Sequence, residues 1–266
     1  MPTLHLRSRP LPIAACLLLA SGCVRPEAPT DLGDLALFFF AEAEGDAELL
    51  AEGLDNFGDV LVGLDLTGPR GDRTFVTPLY EPTVEPIPED VRWENQNPVG
   101  GAGLSAFPIL DTVQTIRLAD QRPVQSQSSV RYDREFIGDP ECFIARECDT
   151  LEVLNHITKE STISSLPYNL PIVYRWIELA DGRLAYFARG WVHERSPGAE
   201  EGHWFDQNYH SEIWIENPEN PSETLRWINV WSSVTIPGVS DDFAASQVEL
   251  AIYDAYQRAD EWLGEQ

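Results

Sequence analysis

One continuous apolar stripe near the C terminus limits what this chain can become. Ala244, Val248, Ala251, Ile252, Ala255, Ala259, Trp262 and Leu263 recur at three- and four-residue steps, while Asp254, Arg258 and Glu261 fall on the other side. That period marks an amphipathic helix, with Ser240 or Asp241 as its cap and Gly264 as its stop. A stripe of about six turns stays wet until a surface of similar length lies against it. The preceding residues supply such a surface. Residues 151–157, 171–179, 183–195, 205–216 and 223–236 read as strands. Ala180-Asp181-Gly182 and the polar stretch 217–222 are hairpin connections. The predicted class is α+β, with an antiparallel β-meander packed on a long C-terminal helix.

The last strand carries a second message. Leu225, Trp227 and Trp231 alternate with Ile228, Val230, Val234 and Ile236. Both faces are therefore apolar, more than a sheet with one wet face requires. Residues 31–62 read as a helical pair broken at Gly45, with Leu32, Leu35, Phe38 and Phe39 on one stripe and Leu49, Leu50, Leu54, Phe57 and Leu61 on the next. Asp31 and Asp46 are suitable N-caps. Phe38-Phe39-Phe40 fits a buried face better than a membrane or partner patch. Glycine and proline crowd residues 66–104, which read as loop around one short strand at 73–80. Residues 104–118 read as a helix and 121–129 as a loop. Residues 31–266 are thus expected to form a single α+β domain: a helical part at 31–65, a Pro/Gly-rich connection at 66–130, and the sheet with its C-terminal helix at 131–266.

The N-terminal residues read as an address. Arg7 and Arg9 precede the apolar run 11–20, which has about half the roughly 20 residues needed to cross a bilayer. Residues 1–22 therefore read as an export signal. Leu19-Ala20-Ser21-Gly22-Cys23 resembles the lipobox of bacterial lipoproteins. The resemblance implies cleavage before Cys23, diacylation of its thiol, acylation of the new amino group and a tether over 23–30. Two or three acyl chains give the stable anchoring that one does not. Val24 stands where an aspartate would favour the inner membrane, so the resemblance implies a cell-envelope protein anchored at the outer membrane. An ordinary secretory signal is the alternative.

Charge excludes one class of partner. Acids outnumber bases 44 to 18, for a net charge of −26, and nucleic acid would be repelled. Lys159 is the chain's one lysine. Cys142 and Cys148 remain as an even pair once Cys16 leaves with the signal and Cys23 is acylated. In an oxidising compartment a local disulfide is the natural reading. A metal pair or a redox dithiol is the alternative, without the usual spacing or nearby histidines.

The order of elements resembles the START and Bet v 1 type of helix-grip fold. The matching features are Asp139-Pro140-Glu141 opening a short helix before the strand Leu151-Glu152-Val153-Leu154, the meander from Pro171, and Ile236-Pro237-Gly238 leading into the last helix. The resemblance spans roughly residues 136–263. It implies a curved sheet wrapped round the C-terminal helix, with a cavity between them for a lipid or other hydrophobic molecule. Seven of the eight tryptophans lie between Trp176 and Trp262. Arg175, Trp176, Arg189, Trp191, Trp214, Trp227 and Trp231 are the candidates for lining such a cavity, the arginines to hold an anionic head group.

Motifs for chemistry are absent. The sequence has no nucleophile elbow, phosphate-binding loop, dinucleotide fingerprint, zinc-protease helix or EF-hand. His193, His203 and His210 with Glu212 form a conceivable metal set, but histidines beside acids at strand ends are more often rim residues or hydrogen-bonded pairs. No metal and no cofactor are expected. Asp241-Asp242 is explained by helix capping, and Ser232-Ser233 by its strand. The main reading is a lipid-anchored, non-catalytic structural or interaction module with a solid core. The alternatives are a START-like binding protein for a hydrophobic ligand and an enzyme without a local motif. The partners expected are the membrane through Cys23, a hydrophobic small molecule and an envelope protein.

Overall fold

A computed structural model of the chain describes residues 27–76 and 97–266. The export signal, Cys23 and residues 77–80 of the strand expected at 73–80 lie outside the described residues. Helix α1 (Leu32–Ala41) begins at Asp31, whose carboxylate accepts from the Gly33 and Asp34 amides. Helix α2 (Ala47–Val62) begins at Asp46 in the same way, accepting from Glu48 and Leu49. Each such cap contributes about 1 kcal/mol. There follow β1 (Thr74–Phe75), β2 (Asn97–Ser105), the single helical turn α3 (Ile109–Thr112), β3 (Ser129–Phe136) and α4 (Pro140–Ile144). The long strands come next: β4 (Thr150–Glu160), β5 (Ser165–Glu178), β6 (Leu184–Trp191), the short β7 (Ser196–Pro197), β8 (Trp204–Glu216) and β9 (Thr224–Thr235). Helix α5 (Asp241–Gly264) closes the chain, capped by the Ser240 side chain on the Phe243 amide. No described helix is long and apolar enough to cross a membrane.

Among the described residues the strands form one antiparallel sheet in the order β1-β2-β9-β8-β6-β5-β4-β3, with β7 paired to β8. The β5–β6 hairpin turns at Gly182, whose φ of +88° is a conformation that glycine adopts without strain. Helix α5 lies on one face of the sheet, called here the inner face, with its closest contacts along β2. Helices α1 and α2 cover the outer face. Leu35, Phe39, Leu50, Leu54, Phe57 and Leu61 pack there on Ile177, Phe187, Ile213, Ile215, Leu225 and Trp227. The Phe57 ring meets Phe39 and Trp227 edge-on, with centroids 5.7 and 5.4 Å away. Each such fully buried side chain contributes about 1.5–3 kcal/mol. Two covered faces are the physical reason for the doubly apolar β9.

Two sequence expectations need correction. Residues 97–105, read as loop because of Gly100, Gly101 and Gly103, form β2, paired to β9 from Asn97↔Ser232 to Ser105↔Thr224. Two of these glycines serve packing: a Cβ on Gly101 would lie 2.9 Å from Ile252 Cγ2, and one on Gly103 would lie 2.7 Å from Tyr256 Cδ2. Their bareness lets α5 settle on the strand. The helix expected at 104–118 starts only after Pro108, and its single α-turn continues as a 3-10 turn at Val113–Arg117. Cys142 and Cys148 form a disulfide across the end of α4, holding Phe143 fully buried in the inner core.

Candidate ligand-binding site

The inner face is filled at its two ends and open between them. At one end Phe143, Trp176, Tyr186 and Trp214 pack under α3 and α4. At the other, the C-terminal half of α5 sits on β2 and β9. A cavity of about 270 Å³ lies under the N-terminal half of α5. Its walls are inward-pointing residues of alternating strand positions: Ile157, Leu166, Tyr168 and Leu170 on one side, Phe205, Ile228, Val230 and Val234 on the other. Val248, Ala251, Ile252 and Ala255 of α5 roof it. The apolar stripe of α5 is thus spent partly on core and partly on cavity. A larger groove of about 680 Å³ beside α5 is lined mostly by polar residues, including Arg70, Arg73, Asp254 and Gln257.

The cavity holds two polar stations. Asn208, His210 and Glu212 point into it from β8. The His210 ring lies over Gly190, where a Cβ would come within 2.8 Å of Cε1, so the glycine makes room for it. His210 Nε2 is 3.4 Å from Glu212 Oε1. Among the described residues, neither His210 Nε2 nor Asn208 Oδ1 has a hydrogen-bond partner. Burial, with Arg134 adding to it, lowers the His210 pKa to about 4. Burial raises that of Glu212 to about 7, with Arg134 opposing. Near neutrality the imidazole is therefore uncharged and the carboxyl is close to half protonated, so together they donate and accept hydrogen bonds. Arg134 itself is occupied: it donates to Asn155 Oδ1, the Ile116 carbonyl and the Tyr174 hydroxyl, each at 2.9 Å.

Lys159 forms the second station, on β4. Its Nζ donates to Ser129 Oγ at 2.6 Å and Ser126 Oγ at 3.1 Å. Burial lowers its pKa to about 8, against a weaker pull from Asp254.

None of the seven residues put forward from the sequence lines this cavity. Trp227 and Trp231 share the outer face with Leu225 and pack against α2 and α1. Arg175 donates to the Gly45 and Ala43 carbonyls. Arg189 pairs with Glu44 at 2.6 Å, and its guanidinium lies 4.8 Å from the Trp191 ring centre. These two arginines hold the α1–α2 turn onto the sheet. Trp176 and Trp214 do face inward but belong to the packed end, Trp176 donating to the Phe143 carbonyl and Trp214 stacking on Tyr186. Alternation tells which residues share a face; it does not tell which face meets α5. The proposed metal set is also dispersed. His203 bonds to Ser164, His193 meets the Trp191 ring at a 45° tilt, and only His210 stands with Glu212. No cluster of three or more metal-binding side chains occurs among the described residues. Sequence reasoning passed over Lys159 and Asn208 as site residues, and it grouped His210 with Glu212 only as part of a metal set or as a strand-end pair. The available signals were a sole lysine and three polar side chains, Asn208, His210 and Glu212, spaced by two along one face of a strand.

No protein-family model and no curated protein matches the sequence. Solved structures with a similar course of chain include a STAR-related lipid transfer protein fragment from Xanthomonas axonopodis, at 11% identity and a TM-score of 0.45, over 65% of this chain and 89% of that one. A START superfamily protein from Mycobacterium smegmatis is similar at 10% identity and a TM-score of 0.38, over 63% and 97%. The lipid transfer and protein localization domain of human StarD13 is similar at 8% and 0.39, over 64% and 77%.

Proposed function

We propose that this chain binds a hydrophobic small molecule between its sheet and α5, and that acylated Cys23 holds the binding domain at the outer membrane of the cell envelope. The observation that carries the first part is a mostly apolar cavity whose buried His210 Nε2 and Asn208 Oδ1 make no hydrogen bond among the described residues. Leaving such atoms unsatisfied costs roughly 1–3 kcal/mol each, a cost that a ligand with a polar group offsets. At about 270 Å³ the space is near the lower end of the roughly 300–1,000 Å³ typical of small-molecule sites. A solid-core module would not have the space, so the binding reading takes precedence over it.

Native mass spectrometry of gently isolated protein, paired with solvent extraction, tests the binding. A co-purifying molecule is expected, and a clean apo mass with nothing extractable would sink the proposal. The same spectra address a second reading, acid–base catalysis, which is favoured by Glu212 titrating near neutrality beside His210. A bound mass that stays constant on incubation supports binding alone, while its conversion to a new mass supports catalysis. For the anchor, Cys23→Ala should move the protein from the membrane fraction to the soluble one. Retention in the membrane fraction would remove the lipoprotein reading.

A further inference from the structure

Lys159 is the sole lysine of a chain with 44 acidic residues, yet among the described residues no carboxylate lies within ion-pair distance of it. Six arginines behave differently: Arg117, Arg122, Arg131, Arg183, Arg189 and Arg226 each meet an acid, while Arg134 and Arg175 are held by neutral acceptors that use several of their donors. An ammonium has three donors, and Ser126 and Ser129 engage two of those on Nζ. A half-buried cation that feels Asp254 only from beyond ion-pair distance is incompletely compensated, and acids to pair with it were abundant. The side chain lines the apolar cavity. Its cross-strand neighbour is Leu166, and Ile157 and Tyr168 form the next pair along the same face. Glu212 stands on β8, separated from β4 by β6 and β5, so it does not occupy Nζ.

We infer that the ligand is an aliphatic anion, a carboxylate or a phosphate monoester, whose head group sits on Lys159 Nζ and whose chain runs over Ile157, Leu166 and Tyr168 beneath α5. This rests on the cavity being a ligand site. The head group takes the third ammonium donor and supplies the missing counter-charge, and the hydrocarbon displaces water from the apolar walls. Hydrogen bonds to charged groups are stronger than neutral ones, so the head decides which amphiphile is held.

The test uses the full-length chain carrying Cys23→Ala, which has no acyl chain of its own, and isothermal titration calorimetry at pH 7 with decanoate, decyl phosphate and decanol. At least one anion should bind about tenfold or more tightly than decanol, and the tighter of the two identifies the head group. Lys159→Met should bring the anion-to-alcohol ratio close to one, and Lys159→Arg should keep most of it. The wild-type ratio needs no variant, so it decides the matter even if Lys159→Met does not fold. Equal binding of all three probes overturns the anion assignment and leaves the hydrophobic site standing. No binding of any probe overturns both.

Discussion

Arg226 and Asp260 form a two-pronged ion pair between β9 and α5, with Nη1–Oδ1 and Nη2–Oδ2 both at 2.9 Å. The Arg226 guanidinium also lies 4.4 Å from the centre of the Tyr256 ring, and Ser105 Oγ donates to Asp260 at 2.7 Å. This contact fastens the C-terminal half of α5, while the N-terminal half roofs the cavity. Asp260→Asn leaves a buried guanidinium without its counter-charge and should destabilise the fold by about 3 kcal/mol. Urea unfolding measures it; a loss under about 0.5 kcal/mol would mean the pair does not clamp the helix.

Gly103 sets how closely that clamp can draw α5 onto β2. Tyr256 cannot retreat easily, because its hydroxyl donates to the Gly101 carbonyl at 2.8 Å. Gly103→Ala should therefore destabilise by about 2 kcal/mol through overpacking, although alanine is ordinarily no worse than glycine in a strand. A neutral or stabilising result would show that the ring swings free.

The pH dependence of stability separates Glu212 from His210. The folded Glu212 pKa is raised to about 7 from 4.5, so the folded protein holds this proton more tightly than the unfolded chain. Its contribution is complete below pH 4.5 and is lost as pH rises to 7. His210 is lowered to about 4 from 6.5, so its contribution is complete above pH 6.5 and is lost as pH falls to 4. Between these limits the two slopes oppose each other. Glu212→Gln removes one of them, so the variant should gain about 3 kcal/mol relative to wild type between pH 4.5 and pH 7. Denaturant midpoints at pH 4.5, 5.5 and 7.5 supply the comparison, and parallel curves would contradict the assigned burial.

Lys159 should trade stability for binding. Its folded pKa is about 8 against 10.5 in the free side chain, so the folded state holds the proton less tightly than the unfolded one. The resulting penalty is full below pH 8 and disappears as pH climbs to 10.5. Lys159→Met removes it and loses two hydrogen bonds to serine, for a net gain of about 1–2 kcal/mol at pH 7. That advantage should shrink toward pH 10.5. A Met variant less stable than wild type at pH 7 would mean that the ammonium is well solvated or paired.

Short-range rules carried much of the architecture. The caps at Asp31, Asp46 and Ser240, the Asp-Gly turn before β6, the period of α5 and the doubly apolar β9 are each written in a few neighbouring residues. Strand β2 was illegible for the opposite reason: its glycines look like loop locally, and only the ring of Tyr256 and the side chain of Ile252, some 150 residues away, explain them.

The sequence by itself determined which side chains travel together: Trp227 with Trp231 and Leu225, Ile228 with Val230 and Val234. A period of two specifies such sets and is blind to their partners, since either face of a strand satisfies the same alternation. Tertiary packing decided that the tryptophan set would meet α1 and α2 and that the aliphatic set would meet α5. It also brought Lys159 on β4 and the His210–Glu212 pair on β8 to one cavity across the two strands between them. Burial and charge shift protonation through space, and distance along the chain does not record that proximity.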